Sequence, residues 1–318
     1  MVEVKNLVKS YGNIDAVKNI SFTANVGEVL GFLGPNGAGK STTMNIIAGY
    51  MSATSGTVTI DGYDIVDDPK EAKKRIGYLP ELPPVYLEMT VKQYLSFMYD
   101  LKKATEPKAE HLEEIMKLCG IDAIGDRVIR NLSKGYRQRV GVAQALVGNP
   151  PVIILDEPTV GLDPKQIIEM RTLIKNLGKK HAVIFSSHVL SEVSAVCDRI
   201  VVISQGEIVA DEATDKIAYM KSKEMRLLLT VEGNSATVIS AISEVNGVTK
   251  VRRSGRQSED ICDYSVEYKK DVDVRASVFR ALAKAGCPIL QMKDAGMSLE
   301  EMFLTLTTPT YSDKGGKN

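Results

Sequence analysis

The chain has 318 residues, room for one large domain and a smaller one, and its 44% apolar and 25% charged residues suit a protein with a real buried core. Its 40 basic residues balance 40 acidic ones, which leaves no overall electrostatic footprint for nucleic acid or an anionic membrane surface. No apolar run nears the roughly 18 residues that cross a bilayer, and Met1-Val2-Glu3-Val4-Lys5 lacks a basic-then-apolar leader, so a cytoplasmic protein is expected, held at any membrane only by another chain.

Short strands are predicted at Val2 to Val4, at Ile20 to Thr23 and over the apolar run Val29 to Leu33. A Gly-rich turn follows, then a helix from about Ser41 to Gly49, with further strands near Thr57 to Ile60 and Ile76 to Leu79. From Thr90 to about Val147 the spacing turns helical. Thr90 with Gln93 three residues later makes a capping box, and Val91, Tyr94, Leu95 and Met98 share one face. Pro107 opens another helix with Leu112, Ile115, Met116 and Cys119 on its apolar side, closed by Gly120.

Strands and helices then alternate: a strand at Val152 to Leu155, a helix opened by Pro164, and strands at Val183 to Ser186 and Ile200 to Ile203. That order predicts a largely parallel α/β sheet. After Met220 the composition shifts. Strand, helix, strand, strand, helix, strand follow between about Glu224 and Thr307, the βαββαβ order of a ferredoxin-like unit. An amphipathic helix from Ser298 to Leu306 and a disordered polar tail over 308–318 are expected to end the chain. Cys119, Cys197, Cys262 and Cys287 lack metal-ligand spacing and read as buried, reduced thiols.

Gly34-Pro35-Asn36-Gly37-Ala38-Gly39-Lys40-Ser41-Thr42 satisfies G-x-x-x-x-G-K-[ST] between an apolar strand and a helix. Glycines let such a loop wrap until its backbone N–H groups converge on phosphate oxygens, and the helix N-terminus adds to that field. Lys40 would reach the β- and γ-phosphates, and the Ser41 hydroxyl would hold Mg²⁺. Val152 to Glu157 is a buried strand ending in two acids; Asp156 would bind Mg²⁺ and Glu157 would polarise an attacking water. Ser133 caps a basic helix, and Ser186-Ser187-His188 follows a strand; each is commonplace when taken alone.

In this order the motifs resemble those of ABC-transporter ATPases over about residues 1 to 218. The strand and loop up to Thr42 resemble the family's Walker A, Val152 to Glu157 its Walker B, and Leu132-Ser133-Lys134-Gly135-Tyr136 its LSGGQ signature. Gly161-Leu162-Asp163 matches the D-loop, and His188 falls where the switch histidine belongs. The resemblance implies that Tyr11 stacks on adenine with Val17 against the same base. It also implies that Ser133, Gly135 and Tyr136 meet the nucleotide of a partner copy. Two positions depart from the pattern. Tyr136 replaces a glutamine, and Glu81 in Tyr78-Leu79-Pro80-Glu81 stands where the Q-loop glutamine would, so it could ligate Mg²⁺ but adds a negative charge.

Tyr78-Leu79-Pro80-Glu81 and the late Ser298-Leu299-Glu300-Glu301-Met302-Phe303 resemble the ABC-2 branch, which holds gliding-type, sodium-export-type and multidrug-export-type ATPases. The fold implied is a P-loop ATPase with an antiparallel N-terminal β subdomain and a helical subdomain at about 86–150. Residues 1–220 would form this domain, and 221–307 a small α+β accessory domain. The implied activity is ATP hydrolysis driving an exporter. The implied partners are a multi-span membrane permease and a second ATPase, identical or related, with no nucleic acid. The chain would sit on the inner face of the membrane through that permease. The rival is a soluble ABC ATPase that remodels a cytosolic complex, against which stand the single P-loop and the lack of a heptad run or basic stripe.

Overall fold

Val2, Val4 and Leu7 on β1 (Val2–Tyr11) and Ile20, Phe22 and Ala24 on β2 (Ile14–Ala24) are buried, and the two strands pair as an antiparallel hairpin. The computed structural model describes residues 1–214, 224–258, 260–269 and 271–294. They fall into two compact units, the first ending at Thr214 and the second comprising the described residues from Glu224 on.

In the first unit, β1 and β2 join β4 (Ser55–Ile60) and β5 (Tyr63–Asp64) in an antiparallel sheet of order β2-β1-β4-β5. A second sheet has the order β10-β9-β3-β8-β7-β6. Its strands are β3 (Val29–Leu33), β6 (Ile76–Leu79), β7 (Val152–Asp156), β8 (Ala182–Ser187), β9 (Arg199–Ser204) and β10 (Glu207–Ala213). Every residue of β3, β6, β7 and β8 is buried, because a parallel sheet is covered on both faces; hence these strands read as unbroken apolar runs. Only β10 runs antiparallel, to β9. The two sheets share a core in which Phe22 and Phe32 touch, with ring centroids 5.2 Å apart.

The helices of this unit are α1 (Lys40–Ile47), α2 (Pro69–Lys74), α3 (Val91–Lys102), α4 (Lys108–Cys119), α5 (Lys134–Leu146), α6 (Pro164–Gly178) and α7 (Leu190–Val196). Thr90 forms the expected capping box with Gln93, and Gly120 ends α4 in a left-handed conformation at φ 64°. Asp163 and Gln166 form a second capping box on α6. Lys102 donates to the carbonyls of Ala145 and Val147 at 3.3 and 3.0 Å, tying α3 to the end of α5. Sequence patterning had suggested neither α2, α7, β5 nor β10. The first three have two to seven residues, and β10 is a polar edge strand with no buried face to impose alternation.

The second unit comprises β11 (Glu224–Glu232), α8 (Ser235–Ser243), β12 (Val248–Arg256), β13 (Ile261–Lys269), α9 (Arg275–Lys284) and β14 (Ile289–Asp294). Its sheet order is β12-β13-β11-β14, antiparallel throughout, which is the split βαβ topology of the ferredoxin-like fold. Leu227, Leu229, Val231, Tyr264, Val266, Val278 and Leu282 fill its core. The expected helix over 298–306 and the tail over 308–318 lie outside the described residues. Among the described residues no helix is long and apolar enough to cross a membrane.

Candidate functional site

The loop between β3 and α1 is shaped by two glycines with no room for a side chain. A Cβ on Gly34 would lie 2.4 Å from the Ile203 carbonyl oxygen. One on Gly39, at φ +106°, would lie 2.5 Å from the Ala16 carbonyl oxygen. The loop is also sewn to its surroundings. Gly206 donates to the Ala38 carbonyl at 3.1 Å and accepts from the Lys18 N–H at 2.8 Å. The result is a backbone cradle at the N-terminus of α1, the arrangement that binds phosphate.

Lys40 is buried at the start of α1, and its ammonium donates to the carbonyls of Gly34 at 2.9 Å and Pro35 at 3.3 Å. It also lies 3.5 Å from Glu157 Oε1. Glu157 follows β7 with φ 50°, a left-handed conformation that costs a non-glycine residue about 1–2 kcal/mol. Bonds from its N–H to the Ser186 hydroxyl, at 3.0 Å, and carbonyl, at 3.2 Å, hold it there. Asp156 is buried and accepts a short hydrogen bond from the same Ser186 hydroxyl.

His188 completes the cluster: its Nδ1 lies 2.9 and 3.0 Å from the two Glu157 oxygens. With carboxylate oxygens as its only neighbours there, Nδ1 carries the proton and donates it. Asn36, Gly37, Gly39, Lys40, Ser41, Thr42, Glu81, Glu157 and His188 line one cleft of about 360 Å³. Among the described residues no group of three or more His, Cys, Asp or Glu could hold a metal by itself. A divalent ion here would draw on the hard oxygens of Ser41, Asp156 and Glu81 together with phosphate oxygens, a donor set that suits Mg²⁺.

Other expected site residues lie elsewhere. Tyr11 is half exposed, its hydroxyl 2.8 Å from Met51 Sδ and the Lys9 ammonium 5.2 Å from its ring centre. Val17 is fully buried, packed beneath Gly39, with no surface turned to the cleft. Ser133 caps α5 by accepting the Tyr136 N–H at 3.4 Å. Gly135 and Tyr136 line a different cleft, between α5 and α6, where the Gln166 side chain lies against Gly135. The signature residues and the P-loop cleft are thus separate within one chain. Ala16, Val160 and Ser186 also contribute to the site. Ser186 carried a signal in the Ser-Ser-His run, whereas Ala16 acts through its backbone and leaves none.

The family described as "ABC transporter" matches residues 17–160, which span the P-loop, the signature and the two carboxylates. The chain is 32% identical over 321 residues to the Linearmycin resistance ATP-binding protein LnrL of Bacillus subtilis (strain 168), covering 98% of this chain and 100% of that protein. It is 30% identical over 314 residues to the Bacitracin transport ATP-binding protein BcrA of Bacillus licheniformis, covering 96% and 97%. The dimeric structure of the bacterial ABC transporter cassette MJ0796 superposes with TM-score 0.62 at 29% identity, over 67% of this chain and 99% of that one. A post-hydrolysis dimer of the same cassette with ADP and Pi gives TM-score 0.60 at 30% identity, again over 67% and 99%. Motif order, full-length relatives and cassette fold agree, and the chain belongs to the ATP-binding, ATP-hydrolysing subunits of ABC transporters.

Proposed function

We propose that this subunit drives an ABC-2 type exporter, working as a head-to-tail pair with an identical or related ATPase and docked on a separate membrane permease. The observation that carries the pairing is the separation of Ser133, Gly135 and Tyr136 from the cleft that holds Lys40, Glu157 and His188. A γ-phosphate in that cleft would face bulk water unless a second copy's α5 N-terminus closed over it. The names of LnrL and BcrA, a resistance and a transport protein, support export.

In this reading the loop from Gly34 to Thr42 wraps the phosphates, with Pro35, Asn36, Gly37 and Ala38 contributing backbone. Lys40 holds the β- and γ-phosphates. Tyr11, half exposed at the end of β1, stacks on adenine. Ser41, Asp156 and Glu81 hold Mg²⁺, which when bound neutralises charge on the phosphate oxygens. Glu157 takes the proton of the attacking water, and His188 keeps that carboxylate aimed while reaching toward the γ-phosphate. Leu82, Tyr86, Leu87 and Phe97, exposed beside Glu81 and along α3, offer the permease an apolar docking face. The permease holds the chain at the inner face of the membrane. Residues 1–220 form the ATPase domain, and 221–307 form an accessory domain that stabilises or regulates the pair.

Light scattering on Glu157→Gln protein tests the pairing. Protein with ATP and Mg²⁺ should double in mass, and protein without nucleotide should stay monomeric. An unchanged mass on adding ATP would rule out self-pairing of the isolated subunit.

A further inference from the structure

Beyond the cleft, one buried carboxylate bonds to both loops that meet there. Glu192, in the first turn of α7, is 8% exposed. Its Oε2 accepts a short hydrogen bond from the Thr159 hydroxyl and another from the Ser187 hydroxyl at 3.3 Å. Thr159 and Ser187 are themselves buried, at 2% and 0% exposure. Ser187 Oγ also accepts the Val189 N–H at 3.0 Å, so this one hydroxyl braces the backbone on both sides of His188. Thr159 sits in the turn after Glu157, where Val160 donates to the Glu157 carbonyl at 3.2 Å and Leu162 donates to the Thr159 carbonyl at 3.2 Å.

These contacts close a ring. It runs from His188 through Ser187 to Glu192, on to Thr159, back along the chain to Glu157, and across the 2.9 Å bond to His188. Among the described residues Glu192 makes no ion pair, and its side chain is bonded to the two hydroxyls. A buried carboxylate so placed is costly, and an apolar residue of similar size would serve packing at less expense. What the carboxylate supplies, and an apolar group could not, is simultaneous attachment to both loops.

We infer that Glu192 is a positioning residue for ATP hydrolysis, fixing the distance between Glu157 and His188 and tying that distance to the Gly161–Asp163 turn. The inference rests on the reading of Glu157 and His188 as the groups that act on water. Because the turn beyond Thr159 carries Gly161 and Asp163, a displacement of that turn would pull on Glu192 and so on His188. The arrangement makes hydrolysis sensitive to how that turn is held.

The test is steady-state ATPase kinetics on full-length Glu192→Met, His188→Ala and the double variant, with ATP affinity and thermal midpoint measured alongside. Glu192→Met keeps the size but removes the oxygen that accepts both hydroxyl bonds. It should lower kcat roughly tenfold while leaving ATP affinity within about twofold. If Glu192 acts through His188, the double variant should be no slower than His188→Ala alone, whereas a merely structural role would multiply the two losses. Unchanged kcat in Glu192→Met, or multiplied losses, overturns the proposal. His188→Ala at the wild-type rate would instead overturn the underlying reading of the site. Should the Glu192 variants fail to fold, or His188→Ala fall below detection, Thr159→Val and Ser187→Ala decide. Each removes one donor and should lower kcat at unchanged ATP affinity, and wild-type rates in both would refute the inference.

Discussion

Two charged residues lead to measurable behaviour. Lys102 lies half-buried between α3 and the end of α5, and burial pushes its ammonium down to about 8. In the unfolded chain it stays protonated to about 10.4. Between these values the unfolded state binds more protons, so stability gains from Lys102 as pH rises from about 8 to 10, by at most about 1.4 kcal/mol per unit. Urea unfolding of wild type and Lys102→Met across that range should show the wild type gaining on the variant; parallel curves would mean that the lysine titrates normally. Glu81 lines the cleft with a carboxylate at the position where the resemblance implied the Q-loop glutamine. If it touches Mg²⁺, Glu81→Gln should raise the Mg²⁺ concentration for half-maximal turnover while keeping ATP affinity within about tenfold. An unchanged midpoint would move Glu81 from the metal to the permease surface. At this scale the sequence pointed to Lys40, Glu157 and His188, which the structure brings together at one cleft. It concealed those that act through backbone or through another residue. Ala16 offers only a carbonyl, and Thr159 and Glu192 meet across 33 positions that no local pattern connects.

Elements with strong local signals were legible at their ends as well as their centres. The Thr90 capping box appears as expected, Thr90 Oγ1 accepting the Gln93 N–H at 3.2 Å and Gln93 Oε1 accepting the Thr90 N–H at 2.9 Å. Thr90→Ala should cost about 1 kcal/mol, read as a lower urea midpoint with an unchanged slope. The hairpin of β1 and β2 extends well beyond the fragments suggested by apolar runs. Its register slips between Val4 and Leu7, between Leu7 and Lys9, and again between Lys9 and Ser10, which breaks the alternation that marks a strand. The βαββαβ order of the second unit was most readable at β13, whose burial alternates with a two-residue period, and least at β12, whose register slips twice. The pairing order β12-β13-β11-β14 was not local information; it is the split βαβ arrangement, in which β13 lies between β12 and β11, and β11 between β13 and β14.

For the whole molecule, the two units have separate cores, the first shared by two sheets and the second enclosed by one. Every residue named for nucleotide chemistry belongs to the first. A chain ending at Thr214 should therefore fold, bind ATP within about threefold of the full-length affinity, and show weaker ATP-dependent pairing if the second unit supports the pair. Isothermal titration and light scattering on that chain would check both halves, and loss of ATP binding in a folded protein would show that the second unit reaches into the site.

The stitching of the P-loop into its surroundings carries a consequence in time. The Gly206 turn passes a hydrogen bond from Lys18 on β2 to Ala38 in the loop, and the glycine faces at positions 34 and 39 sit against carbonyls with less clearance than a methyl group requires. Contacts of this kind tie the opening of the loop to the parting of the sheets around it. Deuterium should enter the Gly206 amide only when the sheets part, at the rate of global opening, so the phosphate cradle and the fold would share one clock.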